Sequence, residues 1–465
     1  MDALAYITAE QDRFLEQLKE LLRIPSVSAL SERRADVARA AEWVAVDLRA
    51  IGLDGVAVIA DPEGGHPLVY GEWLRAPGRP TLLLYGHYDV QPPDPLDLWQ
   101  TPPFEPTVRD DSLYARGAAD DKGQMFALLK GVEAVLRADG ALPVNLKVLI
   151  EGEEEVGGEH IERFVRANPR RVRADAALIA DSPMFARGVP ALCTGLRGLV
   201  YTELEVRGSS HDLHSGLYGG TAPNALNGLA TILAGLKDTY TGHITIPNFY
   251  DMVEPPSDEE RAAWARLPFD EAAYLRDEVG SAALAGEPEY GPLERTWARP
   301  TLDVNGIIGG FTGEGSKTVI PAHGMAKVSM RLVPAQDPAE IFALFERRVR
   351  ELCLRGVEVT VRQLGCGAPV SLPAGTSAMR AAAAALEETF GAPAALIRMG
   401  GSIPIVETLL SATGTPSVLA GFGLPDDNLH APNEKFHLPN YYAAIRFTAL
   451  FLRAFGASGP MPYTG

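Results

Sequence analysis

The sequence predicts an α/β domain built on a mostly parallel sheet flanked by helices and interrupted by an inserted α+β domain. Two observations predict it. Short, wholly apolar runs alternate with stretches of helical period in the first part of the chain and recur near its end, as strands buried on both faces do. In the middle, apolar and polar residues alternate one by one, which marks strands with one wet face. Composition agrees: 465 residues, 46% hydrophobic and 22% charged, are ordinary globular values. At roughly 100–200 residues per domain they allow two or three cores.

Taken in order, Thr8 and Gln11 have the spacing of a capping box, and Phe14, Leu15, Leu18, Leu21 and Leu22 recur at helical period until Pro25. A second helix is expected from about Ser31 to Ile51, stopped by Gly52. Thr81–Tyr85, Asn145–Ile150, Ala176–Ala180 and Pro416–Ala420 read as buried strands, with a helix from about Lys122 to Arg137. Val200–Val206, Ala326–Val333 and Val357–Val361 alternate and suit an antiparallel sheet. Residues 198–367 therefore read as the insertion, and 1–197 with 368–465 as its host. The Pro- and Glu-rich stretch 250–300 reads as a surface excursion.

Composition also excludes partners. With 60 acidic and 42 basic residues the formal charge is −18, which argues against nucleic acid, whose binding rests on Lys and Arg. No apolar run approaches the roughly 18 residues of a membrane helix, and the N-terminus lacks the features of a secretory signal. Cys193, Cys353 and Cys366 form no CxxC and cannot all pair, which points to a reducing cytoplasm and to small buried fillers.

The chemistry follows the strands. His87 and Asp89 come after the first buried run, Glu153, Glu154 and Glu155 after the second, Asp181 after the third, and Asp426, Asp427 and His430 after the fourth. Asp120 and Asp121 stand just before a helix. In open α/β sheets, ligands bind outside the carboxyl ends of strands, so these groups are expected on one rim. Each alone has a commoner structural use: a hydrogen-bonded turn for His-x-Asp, a solvated loop for the glutamates, a helix cap for Asp120 or Asp121. Together they repel one another unless a cation neutralises them. Imidazole with carboxylate suits zinc or a similar divalent ion. Two histidines and three or more carboxylates exceed what one tetrahedral ion needs, so a metal pair and hydrolysis of an amide-like bond are expected. Gly310–Thr318 nearly spells a phosphate-binding loop, but Ser316 breaks its register and no buried strand leads into a helix there.

In this order, Gly86–Pro92, Arg116–Gly123, Glu151–Gly157, Asp212–Gly220, Lys317–Pro321, Gly400–Pro404 and Asp426–Lys435 resemble the co-catalytic zinc peptidase family of carboxypeptidases, aminoacylases and succinyl-diaminopimelate desuccinylases. The likeness covers essentially the whole chain and is strongest to its branch of cytosolic nonspecific dipeptidase and carnosine dipeptidase. It implies an aminopeptidase-like catalytic domain, an inserted lid that dimerises, and a cytoplasmic homodimer that hydrolyses dipeptides or other short peptides. The implied cofactors are two divalent ions, zinc with manganese or cobalt as alternatives: His87 and Asp181 on one, Glu155 and His430 on the other, Asp120 bridging. Asp89 would orient His87, and Glu154, first of the family's two adjacent glutamates, would be the general base. His214 would reach the other subunit's site to support the oxyanion. Arg331 would hold the substrate carboxylate, and Gly401 and Ser402 would line its pocket. An N-acyl amino acid deacylase with the same machinery and a catalytically silent metal-binding scaffold are the alternatives.

Overall fold

Leu82, Leu83, Leu84 and Tyr85 offer water no polar face, and they run through the middle of a sheet in the structure, a computed structural model that describes residues 1–401 and 403–458. Thr81–His87 lies parallel to Asn145–Glu151 on one side and to Ala176–Ile179 on the other. Ser417–Leu419 continues the parallel set beyond Ala176–Ile179. These are the four runs that the sequence marks as buried on both faces. Leu68–Trp73 and then Asp54–Ile59 close one side antiparallel, and Ala191–Leu196 pairs antiparallel with Ser417–Leu419 on the other. Sequence reading passed over these flanking strands.

The chain divides into two compact units. The first holds 1–194, 372–397 and the chain from Pro404 onward; the second holds 195–371 with the short segment 398–403. In the first unit, helices Lys122–Asp139, Ser377–Phe390 and Leu438–Ala457 pack around a core that includes Phe126, Val132, Leu386, Phe447 and Phe451. Full burial of each such side chain contributes roughly 1.5–3 kcal/mol. Gly131 permits one of these helix contacts: a Cβ there would sit 2.4 Å from Thr448 Cβ and 2.8 Å from the Ile445 carbonyl oxygen.

The N-terminal region corrects its sequence reading. Ala3–Ala9 and Gln11–Leu22 are separate helices, and the cap is Asp2, whose Oδ1 accepts from the Ala5 N–H at 2.8 Å. Thr8 Oγ1 instead donates to the Leu4 carbonyl, the i−4 bond a hydroxyl makes inside a helix. The second helix begins as a 3₁₀ turn at Ser31–Arg33, continues as Arg34–Ile51 and ends at Gly52, in the left-handed region with φ 108°. Of the three cysteines only Cys193 is buried; Cys353 is half-buried and Cys366 exposed, so the filler reading fails for those two.

The second unit carries a four-stranded antiparallel sheet in the order Thr301–Gly309, His323–Leu332, Gly198–Arg207, Glu358–Gly367. Val200, Leu204 and Val206 alternate with half-buried neighbours and face a core shared with Ala326, Val328, Met330 and Phe345. Thr301–Gly309 escapes sequence reading because its side chains are largely exposed and Gly306 falls at a break in its register. The stretch 250–300 is less bare than expected. It contains Asp258–Trp264 and Pro292–Trp297, whose Trp264 and Trp297 rings meet edge-on with centroids 5.3 Å apart, and a buried Arg299–Glu287 pair. Gly310–Thr318 is irregular and leads into no helix.

Candidate metal centre

Register delivers the first groups. His87 ends its strand opposite Glu151 in the parallel pairing, so the residues that follow each strand emerge at the same edge. Ile179 and Leu419 are likewise aligned, and Asp181 and the 421–430 loop follow them. Gly421 is required at this edge, since a Cβ there would fall 1.4 Å from the Ser182 carbonyl oxygen. The helix Lys122–Asp139 starts directly after Asp120 and Asp121, whose connecting peptide bond is cis.

Two groups of three donors result, and they share one residue. His87, Asp120 and Asp181 have ligand atoms within 4.8 Å of one another, and so do Asp120, Glu155 and His430. Asp120 Oδ1 lies 3.2 Å from His87 Nε2, and Asp120 Oδ2 lies 2.8 Å from His430 Nε2. His430 Nε2 is also 3.3 Å from Glu155 Oε2. Each oxygen of the shared carboxylate thus addresses a different imidazole. Imidazole with carboxylate is the donor set of zinc and similar divalent ions, and three protein donors per ion leave a position for water or substrate. The donor chemistry of the two groups fits a pair of such ions, with Asp120 common to both groups.

Supporting contacts fix these donors. His87 Nδ1 faces the Asp89 carbonyl oxygen at 3.1 Å and its carboxylate at 3.3 Å. The Asp89 carboxylate in turn accepts the N–H groups of Glu154 and Glu155, tying the first strand end to the second. Gln91 Nε2 donates to Glu155 Oε2 at 2.8 Å. His430 is held at φ 58°, in the left-handed region that costs a non-glycine residue roughly 1–3 kcal/mol.

The three consecutive glutamates separate by environment. The Glu153 carboxylate accepts the backbone N–H groups of His66 and His160, which commits it to loop structure. Glu155 joins the second donor group. Burial, and after it repulsion from Glu155, Asp120 and Asp89 against the pull of His87, pushes Glu154 up to about 7. Burial and the Asp120 charge likewise push Glu155 and Asp181 up to about 7. Burial acts to raise Asp120 as well, but hydrogen bonds from His430 and His87 hold it well below the ordinary range. His430 is raised to about 9, chiefly by its bond to Asp120. His87 is raised far above its usual value because Asp120 and Asp89 outweigh burial, which acts to lower it. Burial and mutual repulsion make several carboxylates here resist ionising together at neutral pH, a cost that a cation beside them would relieve.

Asp121 reaches the same strand end but turns inward. It is wholly buried, with Oδ2 accepting from the His87 N–H at 3.3 Å and Oδ1 without a hydrogen-bond partner. A carboxylate fits there because residue 86 is glycine; a Cβ would lie 2.8 Å from Asp121 Oδ2. His214, Arg331 and Gly401 belong to the second unit. His214 is exposed and caps the turn Ser215–Tyr218, its Nδ1 accepting from the Gly216 N–H. Arg331 lies half-buried on His323–Leu332. Ser402 lies outside the described residues.

Sequence reading missed Arg197, Arg116 and Glu434. Arg197 is brought down to about 10 by burial and then by the nearby Arg331 charge. Arg116 and Glu434 are wholly buried and joined at 2.8 Å beside the Asp120 loop. The only signal for the latter two was their place inside the motifs Arg116–Gly123 and Asp426–Lys435.

Comparison with known proteins identifies the family. The model of peptidase family M20/M25/M40 matches residues 83–454. The chain is 30% identical to the Beta-Ala-His dipeptidase of Rattus norvegicus, covering 96% of this chain and 94% of that one. It is 30% identical to a Cys-Gly metallodipeptidase of Schizosaccharomyces pombe, covering 98% of each. The crystal structure of an M20 family metallo-carboxypeptidase from Sulfolobus solfataricus superposes with a TM-score of 0.84 at 32% identity, covering 96% of this chain and 99% of that one. The chain belongs to peptidase family M20/M25/M40.

Proposed function

From that membership we propose that the protein hydrolyses the peptide bond of dipeptides or other short peptides with two divalent metal ions. One observation carries the reading: two three-donor groups meet at a single carboxylate, Asp120. Relatives named for Beta-Ala-His and Cys-Gly cleavage support a two-residue substrate. His87 and Asp181 would hold one ion and Glu155 and His430 the other, with Asp120 common to both donor groups. Zinc is the metal this donor set favours, and manganese or cobalt also suits it.

Bound there, a metal pair supplies Lewis acidity towards a carbonyl oxygen and lowers the pKa of water. Glu154 does the proton chemistry. Its carboxylate takes a proton from the attacking water as the oxygen adds to the scissile carbonyl carbon, and returns it to the leaving amine nitrogen as the C–N bond breaks, giving two amino acids. Burial, the largest cause that raises Glu154, favours its uptake of that proton. Asp89 orients His87 and, through the N–H groups of Glu154 and Glu155, sets base and ligand in register. The inserted unit is a lid that dimerises: Arg331 holds the substrate carboxylate, Gly401 lines the substrate end, and His214 supports the oxyanion across a homodimer interface in a cytoplasmic enzyme. Among the described residues no helix is long and apolar enough to cross a membrane.

The test is a panel of free dipeptides against N-acetyl and N-succinyl amino acids, with metal-stripped and metal-restored protein. Metal-dependent cleavage confined to dipeptides is expected. Preferred release of acyl groups would replace the reading with a deacylase, and metal-loaded protein that cleaves nothing would revive the silent scaffold. Mixed dimers of H214A and E154Q should regain activity; none regained would remove His214 from the shared site.

A further inference from the structure

Glu434 has no part in the chemistry above, yet four hydrogen-bond donors converge on its buried carboxylate. Oε1 accepts the backbone N–H groups of Ala119 at 2.9 Å and Asp120 at 3.1 Å. Oε2 accepts the Gly117 N–H at 2.9 Å and Arg116 Nη1 at 2.8 Å. All four partners are donors, so only a side chain that accepts at both ends satisfies them; a glutamine would turn an NH₂ towards two of them. Its carbonyl oxygen accepts the Ala115 N–H at 3.1 Å, so the chain four residues beyond His430 is stitched to the segment before Asp120. Arg116 completes the clasp. Its Nη2 reaches the carbonyl oxygens of Pro92 at 3.2 Å and Ala431 at 3.4 Å, in the segments that carry His87 and His430.

We infer that Glu434 is a positioning residue that sets the Asp120 carboxylate between its two imidazoles and thereby fixes the affinity of both metal positions together. It acts through the backbone: a peptide N–H held at Asp120 and at the residue before it fixes where the shared side chain starts. Four donors from three backbone N–H groups and one guanidinium leave the Glu434 carboxylate one way to satisfy them all, which suits this role. The inference rests on the two-metal reading and deepens it. Its readout is metal binding, so its failure is distinguishable from failure of the peptidase assignment.

The test is Zn²⁺ affinity of metal-stripped E434Q by competition with a chelator, at a temperature where circular dichroism shows the variant folded, with the visible spectrum of the Co²⁺-loaded protein as a second signature. Both zinc equivalents should weaken together by about 10- to 100-fold, the usual effect of losing a group behind a metal ligand, and the Co²⁺ bands should shift. Unchanged affinity for both equivalents would overturn the inference. So would weakening of one alone, since the argument runs through the residue they share. Should E434Q not fold, R116K removes one arm of the clasp and leaves Glu434 in place. A smaller, several-fold loss at both positions is expected, and no loss there overturns the inference.

Discussion

The parallel sheet of the first unit and the antiparallel sheet of the second place their polar groups in opposite ways. On Gly198–Arg207 and its neighbours the charged side chains sit on the wet face and pair with one another: Glu203 with Arg362, and Glu205 with Arg207, Arg362 and His323. Exposed pairs of this kind contribute about 0–1 kcal/mol each, and the face needs no ligand to be stable. At the carboxyl ends of the parallel strands, His87, Asp89, Asp121 and Glu151 are buried, with Asp120 and Asp181 close by. Burying charge of one sign is costly unless something opposite joins it. One sheet uses charge to face solvent; the other stores it for a cation.

The largest break in that comparison is removal of the shared donor. D120A should lose both metal equivalents, measured by metal analysis after gel filtration. Its turnover should fall by more than the ~10⁴-fold upper end of what a general base supplies. E154Q should lose ~10²–10⁴-fold in turnover while keeping its metal, which separates proton chemistry from ligation; near-normal hydrolysis by it would remove Glu154 as base.

The antiparallel sheet should respond in the other currency. Phe345 is fully buried in the core beneath it. F345A should cost ~3–5 kcal/mol in denaturant unfolding of the second unit, with zinc affinity of the folded protein unchanged.

The smallest effect concerns pH. Glu154, Glu155 and Asp181 are raised to about 7 and His430 to about 9. Between ordinary carboxylate values and pH 9 these four groups hold more protons in the folded metal-free chain than in the unfolded one, so their contribution to stability falls as pH rises; Lys122, lowered to about 7 by burial, opposes them only above that value. The depressed Asp120 acts only at acidic pH, outside that window. Metal-stripped protein should melt several degrees lower at pH 8.5 than at pH 5.5, and zinc should restore it more at the higher pH. A melting temperature that climbs with pH in the stripped protein would contradict the stored-charge argument.

Much of this was legible from local chemistry. Leu82–Leu84 and Leu146–Ile150 have no polar period, so they had to be strands covered on both faces, and whatever follows such strands gathers at their carboxyl ends. The gathering of His87, Asp120, Glu155, Asp181 and His430 was legible for that reason and through motif resemblance. Asp2 as cap in place of Thr8, the exposed strand Thr301–Gly309 and the two non-buried cysteines were not. In each case more than one local pattern fits the residues, and packing chooses between them.

What the sequence settled by itself was which residues emerge from which buried strand, because periodicity and hydrophobicity are properties of neighbours along the chain. What only the tertiary structure decided was that Asp120 faces both imidazoles while Asp121 turns inward, that Glu153 is spent on backbone N–H groups, and that Glu434 clasps a loop more than three hundred positions away. Those outcomes depend on donors and acceptors brought together across the chain. Hydrogen bonds between distant residues leave no periodic trace in the order of the amino acids.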